Sequence, residues 1–317
     1  ELRPYQQDGF RWLARLAEWS GGAVLADDMG LGKTVQALAL LLRRADGPAL
    51  VIGPASVGWN WVQEAERFAP SLRINEYRGS DRDALLKDLG PGAVLVTSWD
   101  LLARDIDVLA DVDWSTVVFD EAQAMKNPST RRHKAARRLK AGFLLVLTGT
   151  PAENHAGELH AMMQVVLPGL LGSREQFRHR FLGPIQEGNN AARQALAQLI
   201  SPFVLRRLKR DVAKDLPDRI DVTRSIDLSP AERRIYDRVR KAGLSQLAVA
   251  DETGDAQQRM KVLALLTRLR LAACHPKLAD PDSTAPSTKT EEVLELLDAL
   301  RSEGHAVLVF SQFVKHL

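Results

Sequence analysis

Short apolar runs alternate with longer amphipathic stretches through the first two-thirds of the chain. Six runs, at 22–25, 48–53, 93–97, 115–119, 143–147 and 203–205, are apolar at almost every position. That pattern marks strands buried on both faces of a parallel sheet. Between them, 33–44, 59–68, 81–88 and 130–140 have helical patterning, so the expected fold class is α/β, a doubly wound parallel sheet. An opening helix puts Trp12, Leu13, Leu16 and Trp19 on one stripe, for which core packing is expected. After residue 150 the pattern turns mostly helical, at 155–167, 173–181, 190–200, 229–249 and 257–273. Asp280 to Thr288 is polar with two prolines and reads as a linker. Beyond it, 290–303 reads as a helix and Ala306-Val-Leu-Val-Phe310 as a buried strand. A lone strand is not a domain, so the chain reads as the front portion of something longer.

Composition narrows the class. At 317 residues and 45% hydrophobic content, the chain can bury a large core, and its length suggests two domains. No apolar run approaches a membrane span, and Glu1-Leu-Arg-Pro-Tyr5 does not read as a signal peptide. The single cysteine, Cys274, excludes intramolecular disulfides and suits a reducing, cytoplasmic compartment. Its apolar helical context reads as a small buried hydrophobe. The seven histidines show no paired metal-ligand spacing. A net charge of +3 permits a polyanionic partner without demanding one.

Two segments carry chemistry. Ala23-Val24-Leu25 is followed by a turn with two glycines, then Lys33-Thr34 and an apolar helix. This is the order of a phosphate-binding loop. Backbone N–H groups cradle phosphate oxygens, lysine reaches the β/γ-phosphates, and the threonine hydroxyl binds Mg²⁺. Asp27 departs from the general pattern, which has glycine there. The competing reading is a strand–turn–helix with a chance Gly-Lys-Thr. Thr116-Val-Val-Phe-Asp-Glu121 supplies the other half, an apolar strand ending in two carboxylates. Asp120 is placed for the Mg²⁺ shell and Glu121 for orienting and deprotonating a water. Alone, the pair would read as a solvated turn or helix cap; with the upstream loop it reads as a nucleotide hydrolase.

Seven blocks occur in order: Leu2-Arg-Pro-Tyr-Gln6 with Gly9 and Trp12-Leu13; Ala26 to Thr34; Asp120-Glu-Ala-Gln123 with Lys126-Asn127; Leu147-Thr-Gly-Thr-Pro151 with Glu153-Asn154; Phe203-Val-Leu-Arg-Arg207 with Lys209; Cys274-His-Pro276; and Val309-Phe-Ser-Gln-Phe313. In these blocks the chain resembles the SWI/SNF-type family of helicase-like ATPases, superfamily two DNA translocases. Gln123, Asn154 and the run at 168–172 are closer to its bacterial and archaeal branch. An acidic residue at position 27 is characteristic of this family.

The resemblance implies two RecA-like lobes with ATP in their cleft. Residues 1–210 would be lobe one with a helical protrusion at about 151–200. Residues 211–280 would be the connector and the protrusion of lobe two, 281–289 a linker, and 290–317 the first helix and strand of lobe two. It implies ATP and Mg²⁺ as cofactors. Gln6 would read the adenine edge, and Asp27, Asp28, Met29, Gly30, Leu31, Gly32, Lys33 and Thr34 would form the phosphate loop. Thr34 and Asp120 would hold the metal, Lys33, Asp120, Glu121 and Gln123 would be catalytic, and Thr148, Gly149 and Thr150 would couple hydrolysis to lobe movement. The arginine finger would come from motifs after Leu317, leaving this chain alone weakly active.

Double-stranded DNA is the implied partner, with a DNA-bound protein such as RNA polymerase displaced by a monomeric, nucleoid-associated motor. Pro54, Ser56, Thr97 and Ser98 match blocks that touch the phosphate backbone, although strand-to-helix capping is an equal reading of each. The basic run Arg131-Arg-His-Lys134 with Arg137, Arg138 and Lys140 reads better as a solvated helix face. Arg206, Arg207, Lys209 and Arg210 receive no role. Two other functions stay open: a strand-separating superfamily two helicase, and a nucleotide-switched DNA-binding module without hydrolysis.

Overall fold

The structure is a computed structural model and describes residues 1–80, 82–149, 156–212, 220–248 and 255–316. The chain forms two compact units, Glu1–Pro217 and Asp218–Leu317. Unit 1 opens with α1 (Pro4–Trp19), β1 (Gly22–Leu25), α2 (Lys33–Arg43), β2 (Ala49–Gly53), α3 (Gly58–Phe68), β3 (Arg73–Glu76), α4 (Arg82–Lys87) and β4 (Ala93–Ser98). It continues with α5 (Trp99–Arg104), α6 (Ile106–Leu109), β5 (Trp114–Phe119), α7 (Arg131–Ala136), β6 (Ala141–Leu147) and α8 (Ala156–Val166). It closes with α9 (Arg174–Phe177), α10 (Gly183–Gln186), α11 (Asn190–Ile200), β7 (Val204–Leu205) and α12 (Lys209–Val212).

The seven strands form one parallel sheet in the order β3-β4-β2-β5-β6-β1-β7. Every residue of β1 and β2 is buried, because helices cover both faces. Val51 lies between Val96 and Val118, and Val24 between Val146 and Val204. On one face Leu13 and Leu16 of α1, Leu38, Leu40 and Leu41 of α2 and Trp61 of α3 complete the core. On the other, Trp99, Leu102, Met162, Met163 and Phe177 do so. This α/β/α sandwich is the expected fold class.

Several local expectations need correction. β3 went unseen because Arg-Ile-Asn-Glu offers one apolar residue; it is an edge strand with only Ile74 and Glu76 half-covered. The stripe on α1 buries Leu13 and Leu16, but Trp12 is half-buried and Trp19 is 67% exposed. Trp19 is the last residue of the helix, and its ring centroid lies 5.8 Å from that of Phe203. The expected helix at 173–181 is split by a π-helical turn at Arg178–Leu182 before α10, which has proline in its first turn. The basic run is largely a solvated face. Arg132 pairs with Asp100 and Arg138 with Asp107, at 2.7 Å each, and His133 alone turns inward.

Unit 2 is helical: α13 (Pro230–Ala248), α14 (Asp255–Cys274), α15 (Pro276–Ala279) and α16 (Thr288–Ser302). α13 and α14 approach closely at Gly243, where a Cβ would lie 2.8 Å from Leu265 Cδ2. Cys274 is half-buried, not fully buried as expected. The strand expected at 306–310 is absent. The segment has no regular secondary structure and is exposed, and among the described residues no strand of this unit lies beside it to complete its hydrogen bonds. No helix of the described residues is long and apolar enough to cross a membrane.

Candidate active site

The site residues gather at the carboxyl edge of the sheet, where ligands of open parallel sheets bind. β1 ends at Leu25, and the loop 26–32 delivers the chain into α2. Gly30 (φ 84°) and Gly32 (φ 71°) are left-handed, and Gly32 caps α2. Only glycine suits such turns at low cost, and both leave the backbone open to a phosphate. Lys33 folds back over the loop, its ammonium donating to the carbonyls of Asp27 (2.8 Å) and Asp28 (3.3 Å). Burial pulls the Lys33 pKa below its ordinary value, while Glu121, Asp27, Asp120 and Asp28 oppose that fall. The phosphate-loop lysine and the Asp-Glu pair therefore share one electrostatic neighbourhood.

Asp120 follows β5 and is 8% exposed. Its Oδ2 accepts from the Trp61 indole N–H at 2.9 Å, and its Oδ1 from the Glu121 backbone N–H at 2.9 Å. The Trp99 indole donates to its backbone carbonyl at 3.2 Å. Burial raises the Asp120 carboxyl pKa; the Trp61 and Glu121 donors and Lys33 oppose the rise, and the Glu121 charge adds to it. Glu121 has φ 48°, the only positive value among described non-glycine residues. A side chain held there costs about 1–3 kcal/mol, a strain that clusters at functional sites. Its Oε2 accepts from Gln123 Nε2 at 2.5 Å.

Gln6, in the first turn of α1, stands over the loop. Its Nε2 donates to the Leu31 carbonyl at 3.2 Å and its Oε1 accepts from the Arg3 N–H at 2.9 Å. Thr148 is buried at the end of β6. A Cβ on Gly149 would lie 2.9 Å from Met29 Cγ and 3.8 Å from Lys33 Nζ, so this segment lies against the phosphate loop. Thr150 lies outside the described residues, as do Pro151, Glu153 and Asn154.

Two expectations change on inspection. The Asp27 carboxylate is fully buried, with both oxygens engaged by Arg207 and Gln36. Thr97 is buried with its hydroxyl on the Tyr77 carbonyl (3.3 Å), and Ser98 caps α5 by accepting from the Leu101 N–H (3.2 Å). Ser98 thus follows the capping reading, while the Thr97 hydroxyl is engaged by the Tyr77 carbonyl and caps no helix. Ser56 is exposed and Pro54 half-exposed in the turn between β2 and α3, beside exposed Trp59.

Trp61, Glu64 and Arg207 are site residues that sequence reasoning missed. Glu64, one turn beyond Trp61, is pushed upward in pKa by burial, with Asp120 nearby adding to it. A tryptophan in an amphipathic helix signals core, and only the fold brings its indole to a carboxylate 59 residues away. The oxygen donors that could hold a metal are those of Thr34, at the second residue of α2, and Asp120. No group of three His, Cys, Asp or Glu residues able to hold a metal ion occurs among the described residues. A few hard oxygen donors around a buried anion fit Mg²⁺, which keeps several of its waters.

The family profile of the SNF2-related domain matches residues 5–278. The putative ATP-dependent helicase/translocase YwqA of Bacillus subtilis is 37% identical over 99% of this chain, which spans 36% of that relative. The human SWI/SNF-related matrix-associated actin-dependent regulator of chromatin subfamily A member 1 is 33% identical over 100% of the chain and 32% of its own length. Among solved structures, the Sulfolobus solfataricus SWI2/SNF2 ATPase core in complex with dsDNA superimposes with a TM-score of 0.66. It is 35% identical, over 100% of this chain and 68% of that one. With the profile covering most of its length and these relatives matching along nearly the whole of this chain, the chain belongs to the SNF2-related family of SWI/SNF-type ATPases.

Proposed function

We propose that the protein is a DNA-stimulated ATPase that moves along duplex DNA and displaces bound proteins. The observation that carries this reading is the meeting of Lys33, Asp120 and a strained Glu121 at one edge of the sheet. The names of the relatives support it, one an ATP-dependent helicase/translocase and one an ATPase core solved with duplex DNA.

In this reading the loop N–H groups and Lys33 hold the β- and γ-phosphates, and Gln6 turns its amide to the adenine. Thr34 and Asp120 would hold Mg²⁺, which when bound would supply neutralisation of the charge on the phosphoryl group. Glu121 orients the attacking water and takes its proton, with Gln123 fixing the carboxylate from its other oxygen. Thr148 and Gly149 report the state of the phosphate loop to the rest of unit 1. Pro54 and Ser56 lie where a DNA backbone could be met, and contacts there would position the protein without reading sequence.

The test is ATP hydrolysis by the full-length protein with and without duplex DNA. Stimulation is expected, with Glu121→Gln lowering turnover by about 10²–10⁴-fold. Indifference to DNA sinks the translocase reading. Retained protein displacement in Glu121→Gln favours a nucleotide switch, and strand separation in a displacement assay favours a helicase.

A further inference from the structure

One guanidinium, that of Arg207, joins three segments around the phosphate loop. Its Nε donates to Asp27 Oδ1 at 2.9 Å, and Nη2 donates to Asp27 Oδ2 and to Gln36 Oε1, the latter at 2.8 Å. Its Nη1 donates to the backbone carbonyl of Tyr5, whose ring faces the guanidinium at 5.5 Å. The Arg207 backbone N–H also donates to Asp27 Oδ1, at 3.1 Å. Asp27 is fully buried, and the Arg207 side chain is 13% exposed. Gly9 of α1 makes room for this cluster, since a Cβ there would fall 2.7 Å from Nη2 and would collide with the Gln36 amide. Two residues on, the Lys209 N–H donates to Asp28 Oδ2 at 2.9 Å. Asp27 and Asp28 of the loop are thus strapped to residues 207–209, and α1 is tied to the same strap one residue before Gln6.

A buried ion pair is weak evidence for stability, because desolvation offsets much of its attraction. Geometry distinguishes this one. A planar fork held at both carboxylate oxygens fixes direction as well as distance. Asp27 stands where the general loop has glycine, yet its φ is not left-handed, so the turn does not need glycine there. A side-chain anchor replaces the tight turn.

We propose that Arg207 is a positioning residue of the nucleotide site. It never touches substrate; through Asp27 and Tyr5 it sets the spacing between the phosphate loop and the helix that carries Gln6. This rests on the nucleotide-site reading above. Removing it lets the two ends of the site drift apart, which weakens nucleotide binding more than it slows the chemical step.

The experiment measures KM for ATP, kcat and melting temperature in the full-length protein with Arg207→Met, Arg207→Lys, and Arg207→Met combined with Asp27→Asn. The expected result is a KM raised about 10–100-fold with a much smaller fall in kcat, since small misplacements at a site carry penalties of that order. Lysine, lacking the fork, should not rescue it. The double variant should recover melting temperature without recovering KM. If Arg207→Met fails to fold, Gln36→Leu removes one partner of the cluster and should raise KM in the same direction. An unchanged KM in a folded Arg207→Met protein overturns the proposal, as does full rescue of KM by lysine or by the double variant. Lys33→Ala separates the two claims: if it binds nucleotide as the parent does, the nucleotide-site reading itself fails.

Discussion

Ala93-Val-Leu-Val-Thr-Ser98 and Ala306-Val-Leu-Val-Phe-Ser311 differ at one position in six, yet they end in opposite states. The first is β4, paired with β2 on one side and β3 on the other, with Val94, Leu95 and Val96 all buried. The second belongs to no strand, with Leu308 82% and Phe310 88% exposed. An apolar run of this kind specifies a capacity to be buried on both faces. Realising it requires neighbours to take its N–H and C=O groups and helices to cover it. In unit 1 those neighbours come from 49–53 and 73–76. Among the described residues of unit 2 there is no strand to play that part.

The largest expected effect breaks this pair directly. In the 317-residue chain, Leu95→Ala should cost about 2–5 kcal/mol, the range for a buried leucine whose cavity collapses incompletely. Leu308→Ala should stay within about 0.5 kcal/mol, as exposed substitutions do. All six tryptophans lie between positions 12 and 114, so intrinsic fluorescence during urea unfolding follows unit 1 alone. Circular dichroism follows both units. Equal losses at the two leucines would mean that the second segment packs as well as the first.

The same contrast explains what could be read from the chain. The runs at 22–25, 48–53, 93–97, 115–119, 143–147 and 203–205 were legible, falling on β1, β2, β4, β5, β6 and β7, because burial on both faces leaves few polar positions to confuse the pattern. β3 was not, because an edge strand half in water needs only Ile74. The phosphate loop and the Asp120-Glu121 pair were legible because their chemistry is local in sequence. Trp61 and Arg207 were not. Each acts across the fold, on a carboxylate 59 or 180 residues away, and alone each looks like an ordinary core or surface residue.

Trp61 offers the intermediate effect. If unit 1 is ordered tightly enough to hold chemistry, then removing one buried donor should register at the metal while leaving the fold intact. Trp61→Phe keeps an aromatic ring under the sheet but loses the N–H on Asp120 Oδ2. Partners that orient metal ligands are worth about 10–100-fold in metal affinity or activity. The Mg²⁺ concentration giving half-maximal ATP hydrolysis should therefore rise within that range. An unchanged Mg²⁺ requirement in a folded variant would show that Asp120 is held well enough by the Glu121 N–H alone.

The smallest effect belongs to unit 2, where one carboxylate joins two helix starts. Glu232, near the start of α13, is 2% exposed. Its Oε2 accepts from the Thr288 hydroxyl at 2.6 Å and the Ser229 N–H at 2.8 Å, and its Oε1 from the Thr288 N–H at 3.0 Å. It thereby ties the start of α13 to the start of α16. Burial pushes its pKa up, but the hydrogen bonds from Thr288 and Ser229 outweigh burial and leave it below the ordinary 4.5. The unfolded chain therefore binds the proton more readily than the folded one, and stability rises with pH between the two values. The contribution is complete above about pH 4.5 and is lost as pH falls through the folded value. Hydrogen-exchange protection at the first turns of α13 and α16 should weaken together across that acid range. Glu232→Gln should weaken it at neutral pH and flatten the acid dependence, with tryptophan fluorescence from unit 1 unmoved. Protection in the variant that still falls with acid as in the parent would place the pH sensitivity on another carboxylate and leave the helix ends of unit 2 held by packing.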